Sequence, residues 1–255
     1  MKIAVTGKGG VGKTTIVAFM ARILRDRGQK VLAIDADPAM SLATILGIPA
    51  SYHITPIIEL KALIAERTGT EVGKSSPFFT LNPKVDDIPE KYCADYQGIK
   101  VLTMGTVQKG GGGCACPENA FLKQLLSHLV LQRQEWVLVD MEAGIEHLGR
   151  ATAMAVNEML VVVEPSQTSL ETARRIKKLA QEIGIATLRL IGNKIRSPAD
   201  KQFLVERTSD FDVLGFLDFS DEMRKIDTRE VSALTMEGTP LKQLQEFLAT
   251  AGWNA

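Results

Sequence analysis

The sequence has no excess of either charge, no long hydrophobic run and very little cysteine. Lys plus Arg and Asp plus Glu number 30 each. No net positive field therefore draws the chain to nucleic acid. The apolar run 159–163 is bounded by Glu158 and Glu164 and is too short to cross a bilayer. Near the start, Lys2 is followed by only three apolar residues before Thr6 and Gly7, which is too few for a secretory leader. The expected location is the cytoplasm, with neither membrane nor nucleic acid as partner. The cysteines are Cys93, Cys114 and Cys116, an odd number that argues against a disulfide framework. In a reducing compartment, paired cysteines point instead to metal ligation or redox chemistry. No internal repeat is visible, and no low-complexity tract beyond the glycines at 110–113.

What is present is an alternation of two periods. Short β-branched runs at 2–6, 30–35, 99–104, 136–140, 158–164, 187–192 and 213–217 read as strands. Several are almost wholly apolar, as strands covered on both faces must be. Between them lie helical stripes. Ile16, Phe19, Met20, Ile23 and Leu24 share a face that ends near Gly28, and Phe121, Leu122, Leu125, Leu126 and Leu129 form another after Pro117. Thr168 and Glu171 have capping-box spacing. Ser197–Pro198 and Thr239–Pro240 each read as an N-cap followed by proline. The expected fold is α/β, with one mostly parallel sheet and helices on both faces, in one domain spanning 1–255. Residues 66–98 break the alternation and are expected to form an irregular insertion, with a hairpin around 78–85.

Residues 7–15 read Gly-Lys-Gly-Gly-Val-Gly-Lys-Thr-Thr. Gly7, Gly12, Lys13 and Thr14 fit G-x-x-x-x-G-K-[ST] between a strand and a helix, the P-loop NTPase arrangement. Glycines let successive N–H groups converge on phosphate oxygens, and the helix N-terminus adds positive potential. Gly9, Gly10, Val11, Gly12, Lys13, Thr14 and Thr15 are the expected nucleotide cradle. Lys13 is expected at the β- and γ-phosphates of ATP, and Thr14 on Mg²⁺. Lys8 is not needed by an ordinary phosphate loop. Its place resembles the deviant Walker A motif of the nitrogenase iron protein and the partitioning ATPases. That resemblance implies a homodimer in which Lys8 reaches the nucleotide of the other subunit. The plain alternative is an exposed loop lysine.

The strand at 30–35 leads into Asp35-Ala36-Asp37-Pro38, which puts carboxylates at the ligand edge of the sheet. Asp37 aligns with the residue that orients the attacking water in these ATPases, although it would also serve as a helix N-cap. Asp35 could support Mg²⁺ or Lys13. Asp140 ends an apolar strand in the Walker B form and is expected to hold Mg²⁺. The stretch 141–146, with Gly144, resembles switch II. Asn193, after the strand at 187–192, resembles an adenine-reading residue, and a simple turn explains it equally well.

Cys114 and Cys116 follow the glycine run and precede the helix that starts near Pro117. Four glycines do not build a core, and a helix N-terminus favours thiolate. Two thiolates make half a tetrahedral site, and a symmetric dimer would supply the other half. The run Cys114-Ala115-Cys116-Pro117-Glu118-Asn119, with Asn82-Pro83-Lys84-Val85-Asp86 and Glu142-Ala143-Gly144-Ile145-Glu146-His147-Leu148, resembles the carbon monoxide dehydrogenase maturation ATPases. These are CooC-type nickel-insertion proteins, with the AcsF-type acetyl-CoA synthase maturation factor close to them. The likeness runs along essentially the whole chain. It implies ATP hydrolysis, a homodimer holding Ni²⁺ or Zn²⁺ through Cys114 and Cys116 of both subunits, and delivery of nickel to a client, either carbon monoxide dehydrogenase or acetyl-CoA synthase. Ligand chemistry alone leaves zinc, nickel and an iron–sulfur cluster open. An electron-transfer ATPase is thus one alternative, and a partitioning-type ATPase acting on DNA or membrane is another. The segment 241–255 has one lysine and no arginine, which makes a poor anionic-membrane anchor. Cys93 is expected to be structural, and His147 to pack or hydrogen-bond near the switch.

Overall fold

The computed structural model describes residues 1–72, 78–105, 117–143 and 150–253. Its centre is an eight-stranded sheet in the order β3-β4-β2-β5-β1-β6-β7-β8. The strands are β1 (Lys2–Gly7), β2 (Val31–Ala36), β3 (Ala94–Tyr96), β4 (Ile99–Thr103), β5 (Trp136–Met141), β6 (Glu158–Val163), β7 (Leu188–Ile195) and β8 (Asp212–Asp218). All pairings are parallel except that of β3 with β4. The seven strands expected from the apolar runs are all present, within a few residues at each end. β3 was not expected. It is a three-residue antiparallel edge whose only apolar cue is one Tyr, too short to show a period.

Both faces of the sheet are dry, and the alternation of side chains explains why. Ala4, Leu32, Ile34, Val137, Val139 and Val161 enter one core, with Phe121 and Leu125 of α5 (Pro117–Gln132) and Leu170 and Ile176 of α7 (Gln167–Ile183). Ile3, Val5, Ala33, Leu138 and Val162 enter the other, with Ile16 and Phe19 of α1 (Lys13–Asp26) and Leu244 of α10 (Thr239–Thr250). Period-two strands apolar on both faces need helices on both faces, and the chain supplies them. α2 (Leu42–Leu46), α6 (Arg150–Ala155), α8 (Pro198–Arg207) and α9 (Asp221–Asp227) complete the flanks. Among the described residues, no helix is long and apolar enough to cross a membrane.

Two capping expectations shift. Helix α7 is capped by Ser166, whose hydroxyl accepts from the Ser169 N–H, so Thr168 lies inside the first turn. Helix α10 starts at Thr239 itself, after Gly238 at φ +156°. Ser197 does cap α8, accepting from Asp200 N–H ahead of Pro198.

The stretch at 66–98 is only partly irregular. α3 (Lys61–Thr68) runs into it, and α4 (Ile88–Tyr92) and β3 close it. No hairpin forms at 78–85. Val85 and Ile88 are drawn into the core while Phe78 and Leu81 stay exposed, so the segment follows the core surface instead of folding on itself.

The far end of the sheet is closed by a buried polar latch. The Trp253 indole N–H donates to Glu158 Oε2 at 2.6 Å and stacks edge-on against Trp136. Among the described residues, the other Glu158 oxygen has only Arg189 Nη1, at 3.6 Å. Burial pushes the Glu158 pKa up, against the pull of Trp253 and Arg189. Trp253→Ala removes a large apolar side chain and leaves this carboxylate poorly satisfied, so we expect a loss of about 3–5 kcal/mol in urea unfolding. Trp253→Phe keeps most of the packing and is expected to lose about 1–2 kcal/mol.

Candidate functional site

The carboxyl ends of β1, β2 and β5 meet at one edge, and every described candidate except Asn193 issues from them or from the chain just beyond. Gly7 ends β1 at φ +150°. A Cβ there would stand 2.4 Å from the Val162 carbonyl oxygen of β6, so only glycine lets the chain leave the sheet at this point. Gly12, at φ +96°, opens α1, and its carbonyl accepts from Ile16 N–H at 3.1 Å. Lys13 is the first helical residue. Its ammonium is buried and lies 3.4 Å from Asp37 Oδ2.

Asp35 and Asp140 are neighbours in register across β2 and β5. Their surroundings differ. Asp35 accepts from Asp37 N–H at 3.2 Å on one oxygen and from Leu42 N–H at 2.9 Å on the other. It therefore ties down the loop after β2 and does not reach toward Lys13, as one expectation had it. Burial pushes its pKa up to about 6, against those two bonds. Asp140 has no such anchors. Both its oxygens are buried without a hydrogen bond of regular geometry among the described residues. Its pKa is pushed up to about 7, chiefly by burial and further by Asp35 and Asp37, while the Thr14 hydroxyl and Lys13 pull it down. A buried carboxylate with idle lone pairs, beside a hydroxyl at a helix start, is a fitting donor set for Mg²⁺.

Asp37 caps a turn, not a helix. Its Oδ1 accepts from Ala39 N–H at 2.9 Å and its carbonyl from Met40 N–H at 3.0 Å. Pro38 is not the start of a helix, because Met40 takes φ +46° and the next helix, α2, begins only at Leu42. On β5, the chain past Asp140 is pinned by Thr6, whose hydroxyl donates to the Glu142 carbonyl at 2.7 Å.

Asn193 reaches the phosphate loop from β7. Its Nδ2 donates to the Val11 carbonyl at 2.8 Å, and its Oδ1 accepts from Lys194 N–H at 2.9 Å. A Cβ on residue 12 would sit 2.5 Å from Asn193 Nδ2. The side chain is thus committed to bracing residues 11–12. Lys194 adds a second brace that sequence reasoning missed. It stands at φ +61° where the β7–β8 register breaks between Gly192 and Ile195, and its Nζ donates to the Gly10 carbonyl at 2.5 Å, with Glu164 Oε2 at 3.7 Å. The signal was the Asn-Lys pair at a strand end, which admits a turn as readily as a site. Lys8 Nζ donates to Thr168 Oγ1 in the first turn of α7, at 2.9 Å.

Cys114, Cys116, Gly144, Glu146 and His147 lie outside the described residues. Cys93 is half-buried against the core, and burial pushes its thiol up to about 11, which suits an inert packing role. Among the described residues, no group of three His, Cys, Asp or Glu side chains could hold a metal ion unaided.

Residues 2–233 match the family model of the CobQ/CobB/MinD/ParA nucleotide binding domain. The carbon monoxide dehydrogenase accessory protein CooC of Rhodospirillum rubrum is 49% identical over 91% of this chain and 89% of its own length. The chain belongs to the CobQ/CobB/MinD/ParA family, and is of the CooC type. An uncharacterized ATP-binding protein of Methanocaldococcus jannaschii is 45% identical over 88% of each chain. The MinC:MinD cell division complex of Aquifex aeolicus provides a solved chain of the same fold, with a TM-score of 0.71 at 21% identity, covering 100% of this chain and 96% of that one. MinD of Pyrococcus horikoshii with Mg-ADP has a TM-score of 0.67 at 19% identity, covering 99% and 97%. As a CooC-type member of this family the protein is an ATPase, and the α/β P-loop fold expected from the sequence is the one it adopts.

Proposed function

We propose that the protein is an ATP-dependent metallochaperone for a nickel enzyme, acting as a homodimer. The likeness to a carbon monoxide dehydrogenase accessory protein over nine-tenths of the chain carries this reading. The client is accordingly carbon monoxide dehydrogenase or, on the sequence resemblance, acetyl-CoA synthase. Cys114 and Cys116 of each subunit hold the cargo, Ni²⁺ or Zn²⁺ in its place, in the interval between β4 and α5. The cytoplasm is the place for such work.

The nucleotide site supports the cycle. The triphosphate of ATP, with its higher charge, competes with Asp37 for the Lys13 ammonium and weakens that pair. Released, Asp37 is free to orient the attacking water. Asp140 and Thr14 would hold Mg²⁺, which neutralises charge on the β- and γ-phosphates. In the same way Lys8 exchanges Thr168 for the nucleotide of the partner subunit, where it stabilises transition-state charge. Nucleotide and cargo then bias one interface, as coupling requires.

Equilibrium dialysis with Ni²⁺ tests this. The wild type is expected to bind one Ni²⁺ per dimer, and C114A/C116A none, with ATP binding intact. Unchanged Ni²⁺ stoichiometry in the double variant would remove the chaperone role.

A further inference from the structure

The outer face of α7 carries charge that the fold does not use. Arg174, Arg175 and Lys178 are exposed, with Lys178 four and three residues beyond the adjacent arginines. Like charges at that spacing oppose helix formation. Among the described residues none of the three makes an ion pair. Arg174 Nη2 donates to the Arg207 carbonyl at 2.9 Å and Arg175 Nη2 to the Thr172 hydroxyl at 3.2 Å. Glu171, one turn earlier, accepts from Gln167 instead. Neutral acceptors thus orient two guanidinium groups without cancelling their charge, and an oriented guanidinium is a ready partner for carboxylates.

Helix α8 extends the patch. Lys201 lies over the Phe216 ring at 5.4 Å and Arg207 over the Phe203 ring at 4.3 Å, while Val205 between them is 52% exposed. The face also begins at the phosphate loop. Lys8 donates to Thr168 Oγ1, Thr172 Oγ1 donates to the Thr168 carbonyl at 2.9 Å, and Arg175 donates to Thr172.

We propose that Arg174, Arg175 and Lys178 of α7, with the neighbouring end of α8, dock an acidic surface of the client enzyme. This deepens the functional reading above and rests on it. A protein fits better than a polyphosphate backbone. Glu171, Glu182, Glu206 and Asp210 ring the basic centre and would repel a continuous anionic strand, whereas an exposed valine among cations suits a mixed protein surface. The patch lies further along α7, the helix whose first turn holds Lys8 through Thr168.

The test is binding of the full-length ATPase to purified client apo-enzyme by surface plasmon resonance, at low and moderate salt. R174E/R175E/K178E is expected to weaken binding about tenfold or more and to flatten its salt dependence, with basal ATP turnover unchanged. R174Q/R175Q/K178Q, which removes charge without reversing it, is expected to fall between. Equal affinity in all three proteins overturns the docking face and leaves the chaperone reading standing. A wild type that binds the client but transfers no Ni²⁺ sinks the chaperone reading and leaves the face standing. A wild type that does not bind sinks both. Duplex DNA retained by the wild type and released by the triple variant, with client binding unaltered, would overturn the proposal in favour of nucleic acid.

Discussion

Lys13→Met is expected to abolish nucleotide hydrolysis and, unlike most active-site substitutions, to make the nucleotide-free protein less stable. Lys13 is the buried cation of a neighbourhood that contains Asp35, Asp37 and Asp140. It balances Asp37, whose Oδ2 lies 3.4 Å from its Nζ. Methionine fills the same volume but leaves the carboxylates facing one another, and an ion pair broken on one side costs more than the pair contributes. A loss of about 2 kcal/mol is expected in guanidinium unfolding. Turnover is expected to fall about a thousandfold, because the charge developing on the γ-phosphate loses its fixed partner. Asp37→Asn in the Lys13→Met background is expected to recover most of the stability and none of the activity. A cycle in which the two stability changes simply add would show that Lys13 and Asp37 do not act as a pair.

The sheet was legible because its code is redundant. The central parallel strands β1, β2, β5 and β6 are apolar on both faces, so they announce themselves within a residue or two. The phosphate loop was legible because its glycines and lysine are required at fixed spacing. β3 was not, because three edge residues exposed on one side satisfy no period. The hairpin expected at 78–85 failed for a related reason. Two flanking apolar residues, Val85 and Ile88, are bought by the core, and a strand pair would have pulled them out of it. At the site, residue type gave the participants but not their partners. Asp35 and Asp140 read alike on the page. The structure separates them through two backbone N–H groups, Asp37 and Leu42, that only the turn after β2 brings to Asp35. Lys194 was missed because its role depends on a left-handed backbone at a register break, which no local pattern encodes.

Asp140→Asn is expected to move stability and activity in opposite directions. The wild-type carboxyl is buried, with neither oxygen in a hydrogen bond of regular geometry among the described residues, and its pKa is pushed up to about 7 from 3.8. The native state therefore binds this proton more tightly than the unfolded chain does. Between about pH 4 and pH 7 its contribution makes nucleotide-free stability fall as pH rises, with the full cost present above pH 7. Asp35, pushed up to about 6, acts with the same sign. Asparagine cannot ionise, so the variant's gain in stability over the wild type without nucleotide is expected to be larger at pH 8 than at pH 5 by about 1–3 kcal/mol. Magnesium and ATP reverse the comparison. A cation at Asp140 favours the carboxylate that burial disfavours, so the wild type is expected to gain more melting temperature from Mg-ATP than the variant does. Turnover in Asp140→Asn is expected to fall by about two to three orders of magnitude. Melting curves at pH 5 and pH 8, with and without Mg-ATP, contain the whole test. A gain no larger at pH 8 than at pH 5 would mean that the buried carboxylate carries no cost for a bound cation to relieve, and the strain that the site stores for its ligand would have to lie elsewhere.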